Sequence, residues 1–194
     1  EELKNGAIDE TGMIKDADLA SSATLYAGGF ISAIEAAVNN AAYLGAASGD
    51  ELMITHISNN TSSKSATAEE AGVAQVDANV IVMTKNGDVI TSCIIDAIQS
   101  KAEFGADGVA TTEAGAVSSK NQLGENYGMK GFSGIGKEWN EQAAAFAAYV
   151  TGKTAEEVAG TALTETTAPA EADLASSVTI SVGGFMALIE KIAK

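Results

Sequence analysis

The stretch Gln75–Ile95, QVDANVIVMTKNGDVITSCII, decides the fold of this chain. Apolar residues alternate with polar ones on either side of Lys85-Asn86-Gly87. An Asn-Gly pair between two such runs is a strong local signal for a β-hairpin, because both residues accept the backbone conformations of a tight turn. We therefore predict two antiparallel strands, over Gln75–Thr84 and Asp88–Ile95.

Further elements are predicted on both sides of this hairpin. Glu51–Ser58 alternates in the same way and ends at Asn59-Asn60, which predicts a third strand. Small polar residues predict a loop at 60–70 and a long loop at 106–133, and long loops in compact domains usually carry function. Apolar spacing, capping residues and glycine stops predict helices over Asp18–Leu44, Asp96–Phe104, Lys137–Val150, Thr154–Gly160 and Ser177–Ile192. The fold class is therefore α+β: an antiparallel β-sheet with a central hairpin, packed by several α-helices.

The two ends of the chain repeat each other. Glu1–Asn39 aligns without gaps onto Glu156–Lys194 at an offset of 155 residues, and 17 of the 39 pairs are identical. A period of this length corresponds to a whole domain rather than to a solenoid unit. We therefore predict that residues 1–48 are the helical tail of a preceding repeat, that residues 49–194 form one nearly complete repeat, and that the parent protein is longer.

Charge and composition narrow the range of functions. The net charge is −15 and all eleven basic residues are lysines, which argues against nucleic acid and against anionic membrane surfaces. No run of about 18 apolar residues occurs, so we expect no direct membrane insertion. Cys93 and His56 are the only residues of their types, so neither a thiolate metal cluster nor a Ser-His-Asp triad can be argued. These features favour an electron carrier or binding module over a hydrolase or transferase.

The identities between the two ends are densest in seven residues, where Asp18–Thr24 faces Asp173–Thr179. The segment lies at a predicted helix start, where Asp and Ser are preferred N-cap residues. Capping accounts for the aspartates and serines, and a recent duplication accounts for identity without function. Capping alone gives no reason to retain the threonines or the Gly-Gly-Phe that follows in both copies.

This segment, Asp-x-x-Ser-Ser-Ala-Thr before an apolar helix, resembles the flavinylation motif of FMN-binding domains. That family includes subunits of bacterial sodium-pumping and related electron-transfer complexes. In its motif, Asp-x-x-Ser/Thr-Gly-Ala-Thr, the final threonine carries FMN through a phosphodiester bond that a separate transferase installs. The resemblance implies covalent FMN on Thr24 and Thr179, with a glycine-bearing loop near the flavin. The other cofactor-binding residues that it implies are Asp18, Ser21, Asp173, Ser176, Leu123 and Gly124.

The chain departs from the family motif at three positions. Ser22 and Ser177 stand where the motif has glycine, and Val178 stands where the second copy should have alanine. Glycine allows a tight turn and a close approach to phosphate, whereas a serine side chain can obstruct the flavin or the transferase. The first copy is therefore closer to the motif than the second.

The flavin ring requires an apolar or aromatic wall. The candidates nearest in sequence are Tyr127, Met129, Phe132 and Trp139, although Trp139 shares a helical face with Phe146 and fits a core position better. Three lysines of the same region either pair an anionic ligand or offset the acidic surface: Lys120, Lys130 and Lys137.

The resemblance implies an extracytoplasmic domain, secreted or surface-anchored, that acts as an electron carrier for a redox partner protein. The departures from the motif keep a second hypothesis open. On that hypothesis the chain is a non-catalytic surface repeat, a spacer or a small-ligand-binding domain with a degenerate flavin site. Neighbouring repeats of the same chain are expected partners in both cases.

Overall fold

The structure, a computed structural model, describes residue 6 and residues 8–112 and 117–193. It divides into two compact units, residues 1–43 and residues 44–194. The first unit includes α1 at Ala17–Ala20 and, after it in the chain, α2 at Gly28–Asn39. The second unit contains the β-sheet together with the helices that follow it in the chain.

The second unit is built on a three-stranded antiparallel sheet in the order β1-β2-β3. Strand β1 is Glu51–Asn59, β2 is Gly72–Asn86 and β3 is Val89–Phe104. The predicted hairpin and third strand are therefore confirmed. The turn itself is Gly87-Asp88, because Asn86 pairs with Val89. Gly87 has a φ of +57°, a conformation that a side chain would strain.

Strand β3 is longer than predicted, and the predicted helix over Asp96–Phe104 is wrong. Its pairing with β2 continues from Ile95 opposite Ile81 to Phe104 opposite Gly72. Ladder hydrogen bonds satisfy the backbone of this segment in the extended form, and Ala97 is buried. Strand pairing between distant segments thus overrides the local helical signal.

Helices cover one side of the sheet. They are α3 at Lys120–Leu123, α4 at Trp139–Val150, α5 at Ala155–Ala159, α6 at Ala172–Ala175 and α7 at Gly183–Ala193, with a 3-10 turn at Gly124–Tyr127. The predicted helices Lys137–Val150 and Thr154–Gly160 are confirmed as α4 and α5. Because α3 and the 3-10 turn lie inside the predicted loop 106–133, that loop is more regular than expected.

The core lies between the sheet and helices α4 and α7. Alternate residues of the strands point into it, and Ile81, Met83 and Ile95 are buried there. Helix α4 contributes Phe146 and α7 contributes Phe185, whose ring centroids are 6.3 Å apart. Burying a large apolar side chain contributes about 1.5–3 kcal/mol, so this layer holds the second unit together.

The predicted continuous helix over Asp18–Leu44 is wrong, because two separate helices form there and α2 ends at Asn39. The predicted helix over Ser177–Ile192 begins only at Gly183, as α7. Helix α1 ends four residues before Thr24 and α6 ends four residues before Thr179. Ser21 Oγ donates to the carbonyl oxygen of Asp18, and Ser176 Oγ donates to that of Asp173, both at 2.6 Å. Serine hydroxyls that bond the preceding turn compete with continuation of a helix. Each threonine therefore lies in the connection between a short and a long helix.

Candidate functional site

The repeated segment forms the same turn in both units. Ser21 and Ser176 close the short helices with nearly identical φ and ψ, −65° and −22° in the first and −65° and −18° in the second. The serine that follows donates its backbone N–H to the leucine three residues earlier, at 3.1 Å in the first copy and 2.9 Å in the second. The local sequence therefore determines this turn in each unit separately.

The motif aspartates do not cap helices, so the capping interpretation is wrong for them. Asp16 is the N-cap of α1 and its Oδ1 accepts from Leu19 N at 2.9 Å. Glu171 is the N-cap of α6. Asp18 and Asp173 lie one step farther on, in the first turn, with exposed side chains. A carboxylate in the first turn favours the helix electrostatically and stays accessible from solvent.

Serine in the glycine position of the motif causes no backbone strain. Among the described residues, Thr167 is the only residue other than glycine with a positive φ, so Ser22 and Ser177 have ordinary conformations. The turn therefore forms without glycine in both copies. What serine adds at this position is its side chain, half-buried at Ser177 and exposed at Ser22.

A buried glutamine holds the second copy of the motif from below. Gln142, on α4, is fully buried. Its Oε1 accepts from Thr179 N at 2.8 Å, from Thr179 Oγ1 at 3.1 Å and from Ile180 N at 3.2 Å. Its Nε2 donates to Ser133 Oγ at 3.2 Å and to the carbonyl oxygen of Lys137 at 3.1 Å. The amide is thus satisfied on both sides, and it fixes the position of the Thr179 hydroxyl.

Sequence reasoning missed Gln142, although a signal was present. Trp139, Ala143 and Phe146 mark the buried face of α4. Gln142 stands three residues after Trp139 and therefore lies on that same face. A polar residue at a core position needs buried partners, which makes it a candidate for anchoring another segment.

A turn with a strained residue, Thr167, contacts the segment that follows the motif. Thr167 has a φ of +60°, and its Oγ1 lies 2.5 Å from Ser181 Oγ. Its carbonyl oxygen accepts from Val182 N at 2.9 Å. A Cβ on Gly183 would lie 3.0 Å from the Thr167 Cβ, a tight contact that would require Thr167 to shift. The segment Thr179–Gly183 is therefore held between Gln142 and Thr167.

A pocket of about 340 Å³ opens beside this segment. That volume lies at the lower end of the range for small-molecule and cofactor sites. Thr179 ends the motif, and the two residues that follow it, Ile180 and Ser181, line the pocket. The lining consists of Asn79, Lys120, Met129, Trp139, Ile180, Ser181, Gly184 and Phe185.

Lys120 supplies a cation to this pocket. Its Nζ lies 4.7 Å from the centroid of the Tyr127 ring and 4.9 Å from that of Trp139. None of the ion pairs between described residues includes Lys120. Attraction to two aromatic faces keeps the ammonium at the pocket while leaving it free to meet an anionic group. Lys130 and Lys137 do not line the pocket.

The position of Met129 in the lining depends on a buried carboxylate. Glu138 is only 3% exposed. Its two carboxylate oxygens each accept a backbone N–H at 2.9 Å, from Met129 and from Lys130. This pair of bonds folds the loop before α4 back onto the helix start. Nothing in the local sequence distinguishes Glu138 from an ordinary acidic residue at a helix start.

Among the remaining predicted residues, Leu123, Gly124 and Phe132 lie outside the lining. Leu123 and Gly124 stand at the junction of α3 and the 3-10 turn, where Gly124 has a φ of +51° and open space around it. Phe132 is 93% exposed. Trp139 and Phe146 are buried, as expected for core residues, but Trp139 also forms part of the pocket wall.

A polar network stands beside the lysine on the sheet. Tyr127 donates its hydroxyl to Gln99 Oε1 at 2.9 Å, and Gln99 Nε2 donates to Asp77 Oδ1 at 3.1 Å. Hydrogen bonds from Gln75, then from Gln99 and Ser62, and the attraction of Lys120 hold the pKa of Asp77 below its usual value. The carboxylate therefore stays ionised and contributes negative potential near Lys120.

The first copy of the motif has no comparable support within the described residues. Thr24, Asp18 and Ser21 are exposed. No described glutamine bonds Thr24 in the way that Gln142 bonds Thr179. The same sequence motif therefore stands in two different settings, one built into a core and one in solvent.

Several other candidate sites receive no support from the described residues. Cys93 is buried, and burial raises the pKa of its thiol to about 12. Within the described ranges, no three His, Cys, Asp or Glu side chains group as a metal site would require. No described helix is both long enough and apolar enough to cross a membrane.

The chain matches no known protein-family model, no curated protein and no solved structure.

Proposed function

We propose that residues 44–194 form a flavin-carrying domain in which Thr179 holds FMN covalently and the bound flavin transfers electrons. One observation carries the proposal: a buried glutamine fixes the hydroxyl of an exposed threonine at the edge of a cavity with an aromatic wall and a lysine free of described ion pairs. When bound, FMN supplies the redox chemistry, and the protein supplies attachment, orientation and charge.

The geometry of Thr179 suits attachment. The side chain is exposed, so a transferase can reach it. Thr179 Oγ1 donates a hydrogen bond to Gln142 Oε1, so the lone pairs of Oγ1 remain available to attack phosphorus. The ester bond would replace the O–H bond, with the transferase taking up the proton and the flavin donor losing the group displaced from its phosphorus. Gln142 would keep its bonds from Thr179 N and Ile180 N. The backbone N–H groups at the start of α7 follow within a few residues and favour a negative charge nearby.

The pocket suits the flavin ring in size and chemistry. Trp139 and Phe185 meet edge to face at 6.2 Å and give a rigid apolar wall, while Met129 adapts to an irregular surface. Lys120 places a positive charge at the pocket, although the net charge of the chain is −15. Such a cation favours the more negatively charged states of a ligand ring. Asn79 and Ser181 offer hydrogen bonds at the rim.

The proposed carrier is an extracytoplasmic domain with a protein redox partner. Its acidic surface keeps it soluble and steers it towards a basic partner. The alternative is a spacer or ligand-binding repeat. It is favoured by the side chain of Ser177, which is half-buried in a position where the family motif has none.

Coexpression with a flavin transferase tests this function. We expect a yellow protein whose intact mass is raised by one FMN per chain. Thr179→Val removes the hydroxyl while keeping the shape of the side chain, and it should abolish the added mass. Thr179→Ser should retain it. Thr24→Val is the matched control and should not change the added mass. A colourless protein of unmodified mass, in a host that flavinylates a known carrier, would remove the carrier function.

A further inference from the structure

The first unit exposes the apolar side chains that its counterpart buries. Each of four apolar positions in the first copy has an apolar partner at an offset of 155 residues in the second. In the first copy these side chains are 45–64% exposed, and in the second they are at most 8% exposed. The pairs are Leu19 and Leu174, Leu25 and Ile180, Phe30 and Phe185, and Ile34 and Ile189.

Helix formation and capping do not require apolar side chains at these four exposed positions of the first unit. Phe30 and Ile34 are one helical turn apart on α2, so they form a continuous stripe. Leu19 and Leu25 flank the turn that carries Thr24. Apolar side chains grouped in this way on a small unit are typical of a surface that another body covers.

We propose that residues 17–39 form an interaction surface that closes the core of another repeat body. The occupant is a three-stranded sheet with one covering helix, equivalent to residues 51–150 and carried N-terminal to this segment in a longer chain. The second unit supplies the template, because residues 172–193 already cover such a body in this way. Phe30 would then take the position of Phe185, between the counterparts of Trp139 and Phe146.

The backbone register supports the same occupant. Gln142 bonds the backbone N–H groups of Thr179 and Ile180, and backbone groups do not depend on the side chain. Thr24 and Leu25 stand three and four residues after Ser21, as Thr179 and Ile180 do after Ser176, and the φ and ψ of the two serines are nearly identical. We therefore expect a glutamine on the covering helix of the other body to accept hydrogen bonds from the N–H groups of Thr24 and Leu25.

A second copy of the chain fits this surface less well. In the second unit the core side of the sheet is already covered by Val178, Phe185 and Ile189, all buried. Docking there would require this segment to leave first. A body that lacks its own closing segment requires no such exchange.

A chain extended by one repeat body tests the proposal. Residues 44–155 are placed directly before Glu1, so that residues 1–39 follow a body just as residues 156–194 do. An exposed mass marker in the added body, Ser58→Thr, separates the β1 peptides of that body from those of the native body. Hydrogen exchange with mass spectrometry then follows β1 of the added body and α2 together.

We expect the added body to fold and the amides of α2 to exchange at least 100-fold more slowly than in the unextended chain. Phe30→Ser should unfold the added body but leave the unextended chain unchanged. An added body that stays unfolded, or one that folds while α2 exchanges as before, would overturn the proposal. So would a dimer of the unextended chain in which α2 is protected, because the occupant would then be a second copy.

Discussion

Residues 17–39 and residues 172–193 share most of their motif, adopt the same turn and have opposite surroundings. Phe185 is 4% exposed and Phe30 is 64% exposed. The turn forms in both because its hydrogen bonds run within seven residues. Burial differs because it depends on a sheet elsewhere in the chain. The comparison teaches that a repeated motif encodes its local shape, while a functional site requires the body that the motif covers.

The largest expected difference is at the paired phenylalanines. Phe185→Ala removes a buried ring that contacts Trp139 and Phe146, and we expect a loss of about 3–5 kcal/mol in the free energy of unfolding. Phe30→Ala is the matched control and should change it by less than about 0.5 kcal/mol. Urea unfolding of both variants measures the difference. Equal losses would contradict the two environments described for this motif.

The next largest effect is expected at Gln142, which bonds the second copy of the motif and has no described counterpart at the first. Gln142→Leu leaves Thr179 N and Ile180 N without an acceptor, and we expect a loss of about 1–3 kcal/mol. Hydrogen exchange at these two amides should rise towards the rates of Thr24 and Leu25. Gln122→Leu, at an exposed position of α3, is the control and should leave both amides protected. Unchanged exchange in Gln142→Leu would mean that another group holds the turn.

A pH dependence reports on the core layer that the second copy covers. Burial raises the pKa of the Cys93 thiol from 9.0 to about 12. An unfolded chain therefore loses the thiol proton first as the pH rises, so stability is intact below pH 9.0 and declines between pH 9.0 and about 12. The expected slope is about 1.4 kcal/mol per pH unit.

Unfolding in urea from pH 8 upwards, for the wild type and for Cys93→Ala, isolates the contribution of this thiol to the pH dependence of stability. The alanine variant is expected to start less stable but to lose less with rising pH. Parallel curves would show that the thiol is not shielded in the native core.

The smallest effect is expected at the serines that replace the motif glycine. Ser22→Gly and Ser177→Gly should each cost up to about 1 kcal/mol, because the backbone there is unstrained and glycine adds only flexibility to the unfolded chain. The two losses should be similar, since the turn is local in both copies. Thermal unfolding measures Ser177→Gly, and exchange of the α2 amides measures Ser22→Gly. A gain in stability at either position would contradict this expectation, because it would mean that the serine is strained there although its φ is not positive.

The sequence predicted correctly those elements that depend on interactions between residues close together in the chain. The hairpin around Gly87 follows from its turn residues and alternation, and α5 follows from the capping box at Thr154. The segment Asp96–Phe104 was predicted wrongly because its strand partner begins at Gly72, in a separate part of the chain. Its own sequence contains no sign of that pairing.

The sequence pointed to one threonine in each copy of the motif. It did not predict the side chains that surround that threonine in the fold. Thr179 follows from the motif, but its bond to Gln142 spans 37 residues. Lys120 was one of three equivalent lysines in sequence, and only the fold brings it over Tyr127 and Trp139. Pairing over such distances depends on the assembled core, which composition and periodicity do not describe.

The late position of α7 in the chain has a consequence for synthesis. Helix α7 packs on β1 and β2, which precede it by roughly 100 residues. During translation, a newly made body therefore presents Ile81, Trp139 and Phe146 to water until Phe185 has also emerged. Contacts of such long range form slowly, and open cores aggregate. Chaperone demand should consequently be greatest in the interval between the synthesis of α4 and that of α7.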